Sequence, residues 1–339
     1  MEKSSRLTVK VRGTGQALTS VPKVGVSACL LGDPVRYDGG HKRSVLLTEQ
    51  LATCICWRSF CPEVAAGFGV PRPTIGLYPD GAVTRLQINP GQSDEQDASA
   101  DLRPKLIQAS EPFLSEAVSL DGYVFMQRSP SCALGSAPAQ GLSSATEQDA
   151  LNGVFAEELI RRRALLPVAQ EIDLQRPRIL DQFLGAVFAH CRLREAFETK
   201  SFSALLDFHG RYKYQLMAHS VPAYNYLGRL LATYNKDDFS SQQATYYQVF
   251  MKALNASPSK GGEINALMHM MGYIKTQLSA EQRRHLLQRM EDYRHGILPL
   301  QTIVCELQNY TECWGSDYIR RQYYWQPHPL SQSLRAQLS

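Results

Sequence analysis

Val24-Gly25-Val26-Ser27-Ala28-Cys29-Leu30-Leu31-Gly32 is a short apolar run with β-branched residues that reaches a cysteine and opens into a turn. The pattern recurs twice. Trp57 to Phe60 closes on Cys61, and Tyr123 to Met126 leads through Arg128-Ser129-Pro130-Ser131 to Cys132. Between these runs the periodicity changes to that of helices. Val45 to Cys56 has helical spacing, Leu102 to Leu120 places Leu102, Leu106, Ala109, Phe113 and Ala117 on one face, and Ala150 to Arg163 forms a third helix. Leu165 to Val168 is a further strand, Ala82 to Ile88 an alternating strand or hairpin arm, and Gly91 to Asp101 an acidic loop. Strands separated by helices predict an α/β fold, a Rossmann-like parallel sheet with helices on both faces.

From about Arg178 no strand pattern recurs. Segments near 179–197, 201–217, 222–235, 241–255, 259–277, 279–295, 297–313 and 316–325 read as helices, punctuated by Pro222, Pro258, Gly261-Gly262 and Pro299, and Ser279 followed by Gln282 is a capping-box signature. The expected organisation is a leader over 1–22, an α/β domain over 23–175, a separate all-α domain over 178–326 and a tail over 327–339. A length of 339 residues suits two domains at roughly 150 residues each. With 44% hydrophobic and 20% charged residues and no low-complexity tract, the chain is not disordered. It carries no apolar run near the roughly 18 residues of a membrane span and no apolar signal segment, so a cytoplasmic location and no membrane partner are expected.

Charge is unevenly distributed. From His190 onward there are 17 Lys/Arg against 12 Asp/Glu, whereas the preceding residues hold 19 against 20. The same C-terminal part contains 13 of 16 Tyr and 7 of 8 His. Basic and aromatic residues interleave at Arg211-Tyr212-Lys213-Tyr214, Tyr273 with Lys275, Tyr293-Arg294-His295 and Arg320-Arg321-Gln322-Tyr323-Tyr324. That combination neutralises phosphates and stacks on unpaired bases, although tyrosines at helical spacing also serve as core. His209 and His219 lack a paired ligand at metal-binding spacing, which leaves packing or RNA contact for both.

The eight cysteines are too sparse and irregular for a secreted disulfide framework. Cys29, Cys61 and Cys132, separated by 31 and 70 residues, each follow a strand. In a parallel sheet the carboxyl ends of the strands share one edge, so these thiols can meet. Three thiolates leave one coordination position open, and either a [4Fe–4S] cluster with one free iron or a three-cysteine zinc site fits. Cys54, Cys56, Cys191, Cys305 and Cys313 lie in helical stretches and read as packing residues. Arg36, Lys42, Arg43, Arg72 and Arg128 surround the expected edge and suit a phosphate or nucleobase, and Asp38-Gly39-Gly40 is a turn from which Asp38 can reach the site.

Ser27-Ala28-Cys29-Leu30-Leu31-Gly32, Arg36-Tyr37-Asp38-Gly39-Gly40, Cys61-Pro62-Glu63, Pro71-Arg72-Pro73 and Ser129-Pro130-Ser131-Cys132 together resemble the signature of the thiouracil desulfidase family over about residues 22–172. From about His209, the segments Phe208-His209-Gly210-Arg211-Tyr212-Lys213, Met217-Ala218-His219-Ser220, Glu291-Asp292-Tyr293-Arg294 and Arg320-Arg321-Gln322-Tyr323-Tyr324 resemble the YbgA-like helical domain often fused to it. The fused form is similar to desulfidases acting on 4-thiouridine in transfer RNA. The resemblance implies that Cys29, Cys61 and Cys132 ligate a [4Fe–4S] cluster, that Glu63 is a general acid/base, and that Ser129 and Ser131 bond the ring or the developing anion. Two positions depart from the family pattern: His41 stands where Ser is frequent, and Ala133 where Gly follows the third cysteine.

The expected function is [4Fe–4S]-dependent removal of sulfur from 4-thiouridine in tRNA, giving uridine and hydrosulfide without net redox change. Catalysis is assigned to Glu63, Ser129, Ser131 and Asp38, and substrate binding to His41, Arg36, Arg72 and Arg128. Two alternatives remain open: a desulfidase of free thiouracil, and a non-catalytic RNA-binding protein braced by a three-cysteine metal site.

Overall fold

The computed structural model describes residues 21–81, 83–92, 99–140, 150–233 and 239–338. The expected leader strand through Leu7, Val9 and Val11, and most of the acidic loop after Gly91, lie outside the described residues. Two compact units meet in sequence at Gln175 and Arg176.

In the unit Val21–Gln175, strands β1 (Lys23–Ser27), β2 (Cys56–Phe60), β5 (Gly122–Phe125) and β6 (Val168–Gln170) form a sheet in the order β2-β1-β5-β6, and every pairing is parallel. A hairpin of β3 (Ile75–Asp80) and β4 (Val83–Ile88) stands apart from it. Helices α1 (Pro62–Ala65), α2 (Arg103–Glu116) and α3 (Val154–Arg162) flank the parallel sheet, as the alternating pattern predicts. The central strand β1 is covered on both faces, with Val24 and Val26 fully buried on one and Gly25 and Ser27 buried on the other. Gly25 lies opposite Tyr123 in register. A Cβ there would sit 2.3 Å from the tyrosine ring, so only glycine admits the ring. Tyr123 then joins Phe60, Phe113, Phe125 and Phe155 in one aromatic core, with Phe60 and Phe113 stacked at 4.4 Å.

Three boundaries differ from expectation. Residues 45–56 are not one helix: single turns at Leu46–Gln50 and Leu51–Thr53 give way to β2, which begins at Cys56. The pairing of Cys56 with Lys23 demands extended backbone, and the Trp57 indole N–H donates to Leu47 O at 3.1 Å to fasten the turn to the strand. Helix α3 starts at Val154 because Gly153, its N-cap, is extended and Leu151 pairs with Ala137. The last strand is Val168–Gln170 rather than Leu165–Val168, since Pro167 has no N–H to donate to a ladder.

The second unit is helical, and no strand recurs among its described residues. Its helices are α4 (Pro177–Glu198), α5 (Phe202–His219), α6 (Val221–Ala232), α7 (Phe239–Asn255), α8 (Lys260–Gly272), α9 (Ala280–Arg294) and α10 (Leu300–Trp314), with short α11 (Asp317–Arg320) and α12 (Ser331–Arg335). Serine side chains cap α5, α6, α8 and α9, and the Ser279–Gln282 capping box is complete. The helix expected over 316–325 shrinks to α11, because Tyr324 and Trp325 turn into the core. His209 and His219 are packing residues: one Nδ1 lies 3.0 Å from the Tyr246 hydroxyl, the other 2.7 Å from Ala256 O.

Residues 327–338 do not form a loose tail. Arg192 donates to Pro327 O at 2.7 Å and to the Tyr212 hydroxyl at 2.8 Å while lying 4.0 Å from the Tyr323 ring centre. Buried His328 meets Asp181 at 2.8 Å, and Arg335 lies 3.7 Å from the same carboxylate and donates to Tyr324 O at 2.7 Å. Burial alone would raise the Asp181 carboxyl, but the His328 hydrogen bond and the Arg335 charge outweigh it and hold it below its ordinary value.

Removing one partner of a buried ion pair strands the other charge, at a cost of about 3–5 kcal/mol. Asp181→Asn is therefore expected to lower the urea-unfolding free energy of the helical unit by about 3 kcal/mol at neutral pH. Asp317→Asn, at an exposed pair with Arg320, should change it by less than about 1 kcal/mol. A folded carboxyl titrating below its unfolded value stabilises above the unfolded pKa and loses that effect as pH falls, so the Asp181 difference should shrink below about pH 4.

Candidate active site

The parallel pairing of β1 with β2 and β5 brings three strand ends to one edge. Cys29 follows β1 within a short 3-10 turn, Ala28–Leu31. Cys61 follows β2 as the N-cap of α1, with Pro62 at the first helical position, where its missing N–H costs nothing. Cys132 ends the loop after β5. All three line one cleft of about 600 Å³, together with Ser27, Arg36, Tyr37, Lys42, Arg43, Glu63, Arg72, Arg128, Ser129 and Glu171.

The turn carrying Cys132 is built with redundancy. Ser129 Oγ accepts the N–H groups of Ser131 and Cys132 at 3.2 and 3.1 Å. The Ser27 hydroxyl accepts the Met126 N–H at 3.1 Å and also bonds the Cys132 thiol, joining the end of β1 to this loop. Arg128 adopts a left-handed φ of 57°, fixed by its N–H on Ser136 Oγ at 3.0 Å. Behind the turn, Ser131 O accepts the Phe155 N–H at 2.9 Å at the start of α3. This contact is close: a Cβ on Gly153 would lie 2.4 Å from Ser131 C and 2.5 Å from Cys132 N.

Burial pushes the Cys29 thiol up to about 11, partly opposed by Arg36 and reinforced by Cys61 and Glu63. It raises Cys61 too, and it lifts Cys132 well above the ordinary thiol range, with Cys61 adding to the effect. Three desolvated thiols whose thiolates would repel one another have no reason to ionise by themselves. A positively charged metal group held between them would reverse that balance and take up three thiolates on releasing their protons. Among the described residues, no three His, Cys, Asp or Glu side chains converge as ligands of a single metal ion. Three soft thiol donors lining one cleft fit a thiophilic metal group with one position left free.

Glu63 faces the cleft from the first turn of α1. Its Oε2 accepts Arg72 Nε at 2.9 Å and Nη2 at 2.5 Å, in a pair whose side chains are 12% and 4% exposed. Arg72 also donates to Gly69 O at 2.9 Å, so it acts as a clamp on Glu63 rather than as a free substrate ligand. Arg36 and Arg128 line the cleft as expected.

Three expected residues do not reach the cleft lining. Asp38 accepts the Gly40 N–H at 3.0 Å and lies 3.9 Å from Arg36, closing its own exposed turn. His41 is exposed and accepts the Arg43 N–H at Nδ1, 3.2 Å away. Ser131 is fully buried, and its hydroxyl has no partner among the described residues. Ser129 is present, but its hydroxyl oxygen serves the turn. Glu171 is the residue that the sequence reading overlooked. Extending the carboxyl-end rule from three strands to the fourth would have found it, had the last strand been placed at Val168–Gln170. Of the remaining cysteines, Cys54 and Cys191 are buried as expected, while Cys56, Cys305 and Cys313 are exposed, and none of the five lines the cleft.

Residues 24–171 match the family model described as 2-thiouracil desulfurase, and residues 213–329 match one described as a protein of unknown function, DUF1722. The "Uncharacterized protein YbgA" of Escherichia coli (strain K12) is 31% identical over 148 residues, 42% of this chain and 85% of the relative. This chain belongs to the YbgA-like family and carries a 2-thiouracil desulfurase domain ahead of the YbgA-like one. A solved structure described as a "[4Fe-4S]-dependent thiouracil desulfidase TudS" is 28% identical, covering 45% of this chain and 93% of that one, with a TM-score of 0.34. The cleft lies entirely within the desulfurase domain.

Gly153→Ala is expected to destabilise the desulfurase domain by about 1–3 kcal/mol, the usual cost of overpacking against backbone, and to speed alkylation of Cys132. Gly185→Ala, in a helix with open space around the added carbon, should leave the urea midpoint unchanged or slightly raised.

Proposed function

We propose that this chain is a [4Fe–4S]-dependent desulfidase that removes sulfur from 4-thiouridine in tRNA, yielding uridine and hydrosulfide. The observation that carries the reading is the meeting of Cys29, Cys61 and Cys132 in one cleft; these would hold the cluster. When bound, the cluster supplies a soft, coordinatively open iron that prefers sulfur to oxygen. The remaining work falls to the chain. Arg72 fixes Glu63 through Oε2, which leaves Oε1 to take a proton from the water that attacks C4. Ser129 and Gly153 hold the Cys132 turn in place. The balance is a thiocarbonyl plus water giving a carbonyl plus hydrogen sulfide, with no electrons exchanged.

The tRNA half of the reading rests on the helical unit. Most of its interleaved aromatic and basic residues are structural: Tyr212, Tyr214, Tyr293 and Tyr324 are buried, Arg211 and Arg321 pair with Asp207, and Arg320 with Asp317. One cation–aromatic group stands at the surface. The Lys213 ammonium lies 5.3, 5.9 and 5.9 Å from the ring centres of Tyr214, Tyr224 and Tyr318, and Tyr273 stands 5.7 Å from Tyr318, both of these rings being exposed. A cation among open aromatic faces suits an unpaired base with its phosphate. The name of the matching family favours free thiouracil as the rival substrate.

The test is nucleoside analysis of tRNA after incubation with anaerobically reconstituted protein. Loss of 4-thiouridine supports the reading; turnover of free thiouracil with untouched tRNA overturns its RNA half. Cys29→Ala, Cys61→Ala and Cys132→Ala should each lose the iron-dependent absorption near roughly 400 nm, while Cys54→Ala and Cys191→Ala keep it. Lys213→Ala combined with Tyr318→Ala should weaken tRNA binding by about 10-fold or more and flatten its salt dependence by about one phosphate. Turnover of the free nucleoside should stay unchanged.

A further inference from the structure

The cleft contains two carboxylates that are held in different ways. Glu63 gives Oε2 to two guanidinium N–H groups of Arg72, so its charge is matched by a permanent cation. Glu171 sits just past the end of β6, its backbone N–H on Phe125 O at 3.0 Å. Its Oε1 accepts Ser44 Oγ at 2.9 Å and Gln175 Nε2 at 3.0 Å. Ser44 is itself buried and donates its N–H to Leu30 O at 2.9 Å, in the turn that carries Cys29. Glu171 is thus oriented by neutral donors, one of them tied to the same turn as a cluster-binding thiol. Among the described residues no lysine or arginine pairs with it, and its Oε2 accepts no hydrogen bond.

A carboxylate is an acceptor on both oxygens. Fixed at the wall of a cleft, with one oxygen committed and the other free, it calls for an N–H donor on the ligand. A thiouracil ring offers one at N3, between the C2 and C4 positions. The cationic side chains on the same wall, Arg36, Lys42 and Arg128, suit the carbonyl oxygen and phosphates and cannot serve the N–H.

We propose that Glu171 is a specificity-determining residue that accepts the N3–H of the thiopyrimidine through Oε2. It selects rings that carry a proton at N3 over N3-alkylated rings and over cytosine-type rings, whose N3 is an acceptor. This inference rests on the desulfidase reading above and adds the contact that sets the orientation of the ring. In Glu171→Gln, Ser44 and Gln175 would keep the amide oxygen, leaving the amide nitrogen to face the ring N–H, donor against donor.

The experiment compares 4-thiouridine with N3-methyl-4-thiouridine in the cluster-loaded wild type, Glu171→Gln and Glu171→Ala. In parallel, calorimetric binding of uridine and 3-methyluridine is measured in the same proteins, with the cluster absorption and thermal melts confirming cluster and fold. Sites built to bond a substrate N–H reject the analogue lacking it by about 10⁴–10⁵-fold at best. The wild type should disfavour the N3-methyl substrate by about 100-fold or more in kcat/KM. Both variants should lose a comparable factor on 4-thiouridine and discriminate between the two substrates by less than about threefold. Uridine binding should weaken by at least about 10-fold in the variants, with 3-methyluridine equally poor throughout. Persistent discrimination in the variants, or none in the wild type, overturns the assignment while leaving the desulfidase reading intact. If the wild type turns over neither substrate, the desulfidase reading fails and the binding arm decides for Glu171: uridine bound by the wild type and not by the variants supports it, and equal binding overturns it.

Discussion

The backbone hydrogen bonds that pair β1 in parallel with β2 on one side and β5 on the other are what the rest of the desulfurase domain depends on. Parallel pairing points every strand the same way, so the residues after Ser27, Phe60, Phe125 and Gln170 emerge at a common edge. Three of those exits carry a cysteine and the fourth carries Glu171. Antiparallel pairing would have sent alternate exits to opposite edges and separated the thiols. The pairing in turn requires Gly25, because the Tyr123 ring occupies the space that any side chain there would fill.

The cleft combines groups whose natural states conflict. Buried thiols resist ionisation, as the upward shifts of Cys29, Cys61 and Cys132 show, while Glu63 adds negative charge beside them. Arg72 offsets that carboxylate locally and Arg36 moderates Cys29. A site arranged in this way is poor at holding three free thiolates and well suited to a cationic, thiophilic group that the thiolates can neutralise. The polar residues of the loops help to keep the cysteines in place: Ser129 accepts two backbone N–H groups through its oxygen, which leaves its O–H as a donor at the cleft.

Much of this was legible beforehand, because it depends on local pattern. The apolar runs ending at Cys29, Cys61 and Cys132, the helical spacing of Leu102 to Leu120 and the Ser279 capping box are properties of neighbouring residues, and the structure has each element within a few positions of where the pattern predicts it. Boundaries went astray where a non-local partner decided them. Cys56 is strand because Lys23 pairs with it, and Gly153 is extended because α3 must approach the Cys132 turn. Asp38 and His41 had suitable chemistry but spend it on their own turn.

By itself the sequence determined the alternating α/β order, the all-helical second half and the three cysteines at strand ends, since these follow from periodicity and turn chemistry within short windows. Tertiary structure alone decided which side chains share the cleft and which are consumed elsewhere. Glu63 is clamped because Arg72 folds back across a separate loop, Glu171 enters because β6 pairs with β5, and most of the interleaved tyrosines of the helical unit turned inward. The physical reason is that a side chain's availability depends on what else competes for its hydrogen bonds and its space. Those competitors come from residues distant in sequence and adjacent only after folding.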